Sequence, residues 1–356
     1  MNPNTRNEIG TLLRDASVSF VEIDGELRAV YTHESDYAIF ILNIDTLADK
    51  IIRTNEKLFT LKTNPLTKRK FLSPTKTGTW LLSALKTDVP GIRDCFCKHE
   101  FSPRFELFVK HAKDRDLDFW YAINNSLSGE EVTKACDSLD GLVNAVREEG
   151  KRASFKAKLR NFERSANKNN RSLYQYLRKT LTLHTKINVR RYDLAYQKEG
   201  TWPTHQACSV IHQEAKEHRE TLIKAMKKNL IGTHLIGYAW KIEHSSGRGF
   251  QHHLLLILEE ASFEEQASVD AALKEAWSEA TKTKGLLVDC NALHPSYKSV
   301  GIGLIDSNEK AARTTFQKIC TYMTQVDNYI KLDVPGAARA FGKAEVLENS
   351  SESAAQ

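Results

Sequence analysis

Residues 231–243 and 250–258 are two strand-like runs separated only by His244-Ser-Ser-Gly-Arg-Gly249. A connection that short leaves one arrangement, an antiparallel hairpin, because parallel neighbours need a crossover of about a dozen residues or more. The glycines supply the positive φ of a tight reversal. Around the hairpin the chain alternates between periods. Residues 181–196 and 285–289 read as strands, 214–230 as a basic helix, and 263–281 and 307–331 as amphipathic helices. Such mixing predicts an α+β class, with a two-layer domain over 180–345.

The N-terminal part reads as a smaller, helix-rich α+β region over residues 1–150. Residues 18–31 predict a hairpin about Asp24-Gly25, 37–44 a strand and 45–58 a helix. Pro65, Pro74, Pro90 and Pro103 punctuate a loop-rich stretch with short helices. Ser128-Gly-Glu-Glu131 has the capping-box pattern and opens a helix to about residue 149. Residues 151–179 predict a basic helical connector with a weak point at 167–170, and 346–356 a disordered tail. No chemistry is legible in residues 1–150.

Net charge is +6, and it is concentrated: residues 151–191 hold thirteen Lys or Arg against one acid, Glu163. A single-sign run of that length attracts nucleic-acid backbone, although a charge run is often only a solvated face. No run of about 18 apolar residues predicts a membrane span, and the first fifteen residues lack an apolar secretion core. The expected address is the cytoplasm. The six cysteines show no CxxC pair, and Cys95-Phe-Cys97-Lys-His99 has no second half, so neither a zinc module nor a disulfide framework is predicted.

Two stretches carry candidate chemistry. In the hairpin, Gln251 and His253 share a strand face while His252 points away. If the turn spans 245–249, Glu243 lies across from Gln251, and a carboxylate, an amide oxygen and an imidazole converge. That mixed set suits Mg²⁺ or Mn²⁺. A one-residue slip would instead put His252 opposite Glu243. In the 307–331 helix, Ala312, Phe316, Ile319, Met323, Val326 and Ile330 form an apolar stripe, rimmed by Lys318, Tyr322, Gln325 and Tyr329. A rim phenol is open to substrate, but at an ordinary pKa of about 10 it needs a cation or metal-bound phosphate to become a nucleophile. The same spacing also fits tyrosines that only pack, with wet hydroxyls.

In order, Val189-Arg-Arg-Tyr-Asp193, Gly237-Tyr-Ala-Trp-Lys-Ile-Glu243, Arg248-Gly-Phe-Gln-His-His253, Trp277 with Thr283-Lys-Gly285, Gly301-Ile-Gly303, Tyr322-Met-Thr-Gln-Val-Asp327-Asn-Tyr-Ile330 and Arg339-Ala-Phe-Gly342 resemble the replication endonucleases of filamentous phages and prophages. These are the YagK/YfjJ-type proteins, and the resemblance covers about 180–345. The family is similar to the HUH endonucleases, in which two histidines flanking a hydrophobic residue bind a divalent ion. The resemblance implies an HUH-like antiparallel sheet with flanking helices, a metal held by Glu243, Gln251 and His253, and Tyr322 as nucleophile on a DNA phosphodiester. Here glutamine stands at the first histidine position, and Gln325 where a lysine is usual; Lys318 or Lys331 would replace that lysine. Tyr329 is a candidate second nucleophile, and Asp193 either supports the metal or caps a strand. Gly301-Ile-Gly303 lacks the third glycine of a dinucleotide loop and reads as a turn.

The implied function is a rolling-circle initiator that nicks single-stranded origin DNA, leaving a 5′-phosphotyrosine and a free 3′-hydroxyl. Host helicase and replication machinery would be its partners. A mobilisation relaxase is a close variant. A DNA-binding regulator without catalysis is the alternative, favoured by Gln251 and Gln325. A structural role has only residues 1–150 behind it.

Overall fold

The computed structural model describes residues 19–23, 26–30, 33–113, 129–197, 209–229, 235–260, 263–293, 302–309, 311–334 and 338–345. Strands β1 (Ser19–Ile23) and β2 (Glu26–Val30) pair antiparallel as the Asp24-Gly25 signal predicts. Helix α1 (His33–Arg53) follows. Its residues 37–44 are helical, where β-branched composition predicts a strand. Packing decides: Ala38, Ile41, Leu42, Leu47, Ala48 and Ile51 recur at helical spacing and enter one core. Hairpin β3 (Phe59–Thr63) and β4 (Lys70–Pro74), short helices α2 (Lys76–Ala84) and α3 (Val89–Cys95), strand β5 (His99–Phe101) and helices α4 (Pro103–Lys113) and α5 (Gly129–Lys151) complete the N-terminal region. The capping Ser128 and the tail 346–356 lie outside the described residues.

Helix α6 (Ala153–Leu183) runs 31 residues without a break through 167–170, about 46 Å at 1.5 Å per residue. The expected weak point is absent because the helix is held at both ends. Phe155 packs in the N-terminal core, and Leu173, Tyr176 and Leu177 pack on the C-terminal sheet. Asn170 Nδ2 donates to Thr324 Oγ1 at 3.1 Å between them. The connector is therefore a shared wall between the two regions.

The sheet contains β6 (Lys186–Tyr196), then, after α7 (His212–Asn229), the hairpin β7 (Leu235–Ser245) and β8 (Gly249–Leu258). Helix α8 (Phe263–Ala280), β9 (Gly285–Asp289), the one-turn α9 (Cys290–Leu293), β10 (Gly303–Asp306) and α10 (Ala312–Thr324) follow. The chain then makes a 3-10 turn (Gln325–Asn328) and ends in β11 (Ile330–Leu332) and β12 (Phe341–Lys343). Strand order is β10-β6-β8-β7-β12, with β9 pairing the other half of β6. Every pairing is antiparallel, so the α+β class holds.

Two expectations change. The domain has three layers rather than two, because the central strands are apolar on both faces. One face packs on α6 and α10, the other on α7 and α8. The predicted 307–331 helix spans only Ala312–Thr324. Beyond the 3-10 turn, Ile330 and Leu332 pair with Phe101 and His99 of β5, and Val326, Tyr329 and Ile330 enter the N-terminal core. Burial and strand pairing win over a helical period that the sequence carries through this segment.

Candidate functional site

Strand alternation places Arg191 and Asp193 of β6, Gln251 and His253 of β8, and Lys241 and Glu243 of β7 on the face beneath α10. Register brings them abreast: Asp193 and Lys241 both flank His253, and Glu243 pairs with Gln251. The turn closes on the pair Ser245 and Gly249, so the slipped register with His252 opposite Glu243 is not adopted. His252 faces the other layer. Its Nε2 meets the Ala215 carbonyl at 3.0 Å, and burial holds its pKa down to about 3.

His253 is 1% exposed and is gripped from both sides. Its Nδ1 is 2.6 Å from Asp193 Oδ1, and its Nε2 is 2.9 Å from Glu243 Oε2. Burial alone would favour the neutral ring, but the two carboxylates outweigh it and raise the pKa. Lys241, 2% exposed, sits 2.9 Å from both Glu243 and Asp327. Burial opposes its charge, yet these two carboxylates raise its pKa. Arg191 reaches both oxygens of Asp193 at 3.1 Å. Burial would raise the acidic pKa values of Asp193 and Glu243; Arg191 and His253 hold the first low, and Lys241 and His253 the second. With His253 protonated, three cations face three carboxylates in a nearly closed space.

Tyr322 projects from α10 onto this cluster. Its hydroxyl is 3.0 Å from His253 Nδ1, and the Arg191 guanidinium lies 3.9 Å from its ring centre. The expected rim position is corrected: Tyr322 is 4% exposed, because α10 lays this face flat on the sheet. Burial pushes the phenol well above its ordinary pKa, with Arg191 pulling the other way.

The other rim residues separate. Lys318 is half-buried one turn before Tyr322. Gln325 opens the 3-10 turn and accepts from Asn328 Nδ2 at 2.7 Å. Tyr329 belongs to the N-terminal core, since the helix ends before it and the row that joined it to Tyr322 does not exist. Gln251 is buried opposite Glu243. Sequence reading missed Arg191, Lys241 and Asp327. The parity signal was present for the first two, each two residues before a carboxylate already singled out.

The donors partly suit a divalent ion. Adjacent ligands of an octahedral ion with bonds of about 2.1 Å stand about 3 Å apart, and Glu243 Oε2 and His253 Nε2 are 2.9 Å apart. Gln251 is an amide on the same face. Asp193 on the remaining ring nitrogen is the carboxylate that orients a ligating histidine. The ion would take the place of the imidazolium proton. Among the described residues, no three His, Cys, Asp or Glu side chains surround a common point, so the set amounts to two such ligands and an amide. A cavity of about 40 Å³ lined by His99, Lys241, Glu243, His244 and Asp327 adjoins Glu243, room for a water or two.

An antiparallel sheet covered on both faces, with a histidine, two carboxylates and a tyrosine stacked under one helix, defines a class of domain. Residues 152–344 match the YagK/YfjJ C-terminal domain, and the chain belongs to the YagK/YfjJ family. The match begins at the first turn of α6, so that helix is part of the family domain. No curated protein and no solved structure matches the chain. Among the described residues no helix is long and apolar enough to cross a membrane.

Proposed function

We propose that the chain is a DNA strand transferase that nicks single-stranded origin DNA through Tyr322, in the manner the phage-replication resemblance implies. The observation that carries the reading is the Tyr322 hydroxyl 3.0 Å from His253 Nδ1, with Asp193 on the same nitrogen. Asp193 keeps Nδ1 protonated, and that N–H, beside both Asp193 and the phenol oxygen, orients Tyr322 for attack; the phenol proton is the one that the departing 3′-oxygen takes up. Arg191 over the ring favours the phenolate. The tyrosyl oxygen bonds to phosphorus, the bond from phosphorus to the 3′-oxygen breaks, and that oxygen takes up a proton. A Mg²⁺ or Mn²⁺ ion held by Glu243, His253 and Gln251 would polarise the phosphoryl oxygens.

Binding is assigned to α6. Lys156, Arg160, Arg164, Lys168, Arg171 and Arg178 are exposed on it, the first five at steps of four, four, four and three, which makes one basic stripe for backbone phosphates.

A second reading, a DNA-binding regulator without catalysis, is favoured by the enclosure of Tyr322 and by His253 having both nitrogens engaged. One assay separates the two. Protein is incubated with Mn²⁺ and single-stranded oligonucleotides tiling its own replicon, then tested for a denaturant-resistant adduct. An adduct abolished in Tyr322→Phe is the expected result. Adduct persisting in that variant refutes the role of Tyr322, and salt-sensitive binding without any adduct favours the regulator.

A further inference from the structure

Away from the His253 cluster, a cavity of about 230 Å³ opens between α1, α4, α6 and the 3-10 turn. Its floor is polar. Arg104 lies 3.6 Å from Asp45, 3.3 Å from Asp49 and 3.1 Å from Glu163. Asn328, 8% exposed, donates its Nδ2 to Gln325, but its buried Oδ1 has no hydrogen-bond partner among the described residues. A buried acceptor left without a donor is costly, so the site favours a ligand that brings an N–H group. Tyr329 adds an aromatic ring to the wall, and the half-buried amides of Asn167 and Gln325 also line the space.

Three carboxylates against Arg53 and Arg104 disfavour a phosphate inside. Amide edges with an aromatic ring are how proteins hold nucleobases, and carboxylates accept from exocyclic amines. The volume is below the roughly 300 Å³ of the smallest drug-sized pockets, so it suits one planar base. Outside, Arg164 and Lys168 of the basic stripe directly follow Glu163 and Asn167 in α6. Phosphates on the stripe would therefore run beside the cavity.

We propose that this cavity reads one amino-bearing nucleobase (adenine, cytosine or guanine, against thymine) of the single DNA strand whose backbone lies along α6. Thymine has no exocyclic amine to offer the carboxylates of Asp45, Asp49 and Glu163. The proposal rests on the DNA-binding reading above and adds the recognition element that reading lacks.

The test is capture of random single-stranded oligonucleotides on the full-length protein in EDTA, followed by sequencing. At one position amino-bearing bases are expected to exceed thymine by at least about fivefold, the low end for a good base contact. Asn328→Leu and Asn167→Ala should each bring that ratio towards one. Asn167, half-buried at the cavity, decides the matter if Asn328→Leu fails to fold. Arg164→Ala should lower capture of all sequences alike and keep the ratio. Capture with an even base distribution, or a preference surviving both asparagine substitutions, overturns the pocket while leaving DNA binding intact. No capture at all by the unaltered protein overturns the DNA reading itself, and the pocket with it.

Discussion

Asp45 offers the most direct test of the electrostatics. It is 3% exposed in α1, bonded to the Ser102 hydroxyl, and burial raises its carboxyl from 3.8 to about 6 despite Arg104 and Ser102. At about 1.4 kcal/mol per pKa unit, that displacement corresponds to about 3 kcal/mol of unfavourable charge burial at neutral pH. Asparagine keeps the shape without the charge, and Arg104 retains Asp49 and Glu163. Asp45→Asn is therefore expected to raise the unfolding free energy at about pH 7 by up to about 3 kcal/mol. Because the folded-state pKa lies above the unfolded one, the contribution of Asp45 is full below about pH 4 and is lost as pH rises through about 6. The gain from the substitution should be near zero at about pH 4 and complete by about pH 7. Urea unfolding followed by tryptophan fluorescence, at pH steps across that window, measures it. A gain independent of pH, or a variant less stable than the unaltered protein at neutral pH, would refute the reasoning.

Three further outcomes are expected. Gly237→Ala would bring its Cβ to 1.9 Å from the Tyr176 hydroxyl, costing about 1–3 kcal/mol; adding Tyr176→Phe should recover part of the loss in thermal unfolding, and no recovery would reject the clash. Lys241→Met removes the ion-pair partner of buried Asp327, leaves Glu243 with His253 alone, and should cost about 3–5 kcal/mol. Combining it with Glu243→Gln should cost less than the sum, and simple additivity in urea unfolding would show the pair is not coupled. Arg164→Ala should reduce the salt dependence of single-strand binding by about one counterion; an unchanged slope in filter binding across salt concentrations would remove Arg164 from the phosphate track.

Local chemistry determined much of this protein. The six-residue link made β7 and β8 a hairpin, and strand parity then put Glu243, Gln251 and His253 on one face, because a period of two depends on nothing beyond the strand. The basic run is helical, as its proline-free composition predicts, and its charge belongs to the sequence wherever it folds. What the sequence could not decide is non-local. The carboxylate on His253 Nδ1 comes from a strand sixty residues away. Which charges meet over an imidazole depends on the order of strands in the sheet, and single-strand periodicity says nothing of that. The end of α10 is set by β5 and the N-terminal core, which take Tyr329, Ile330 and Leu332 away from a helical period that continues on paper. Packing of α10 on the C-terminal sheet buries Tyr322, and that depth depends on how closely a helix lies on its sheet.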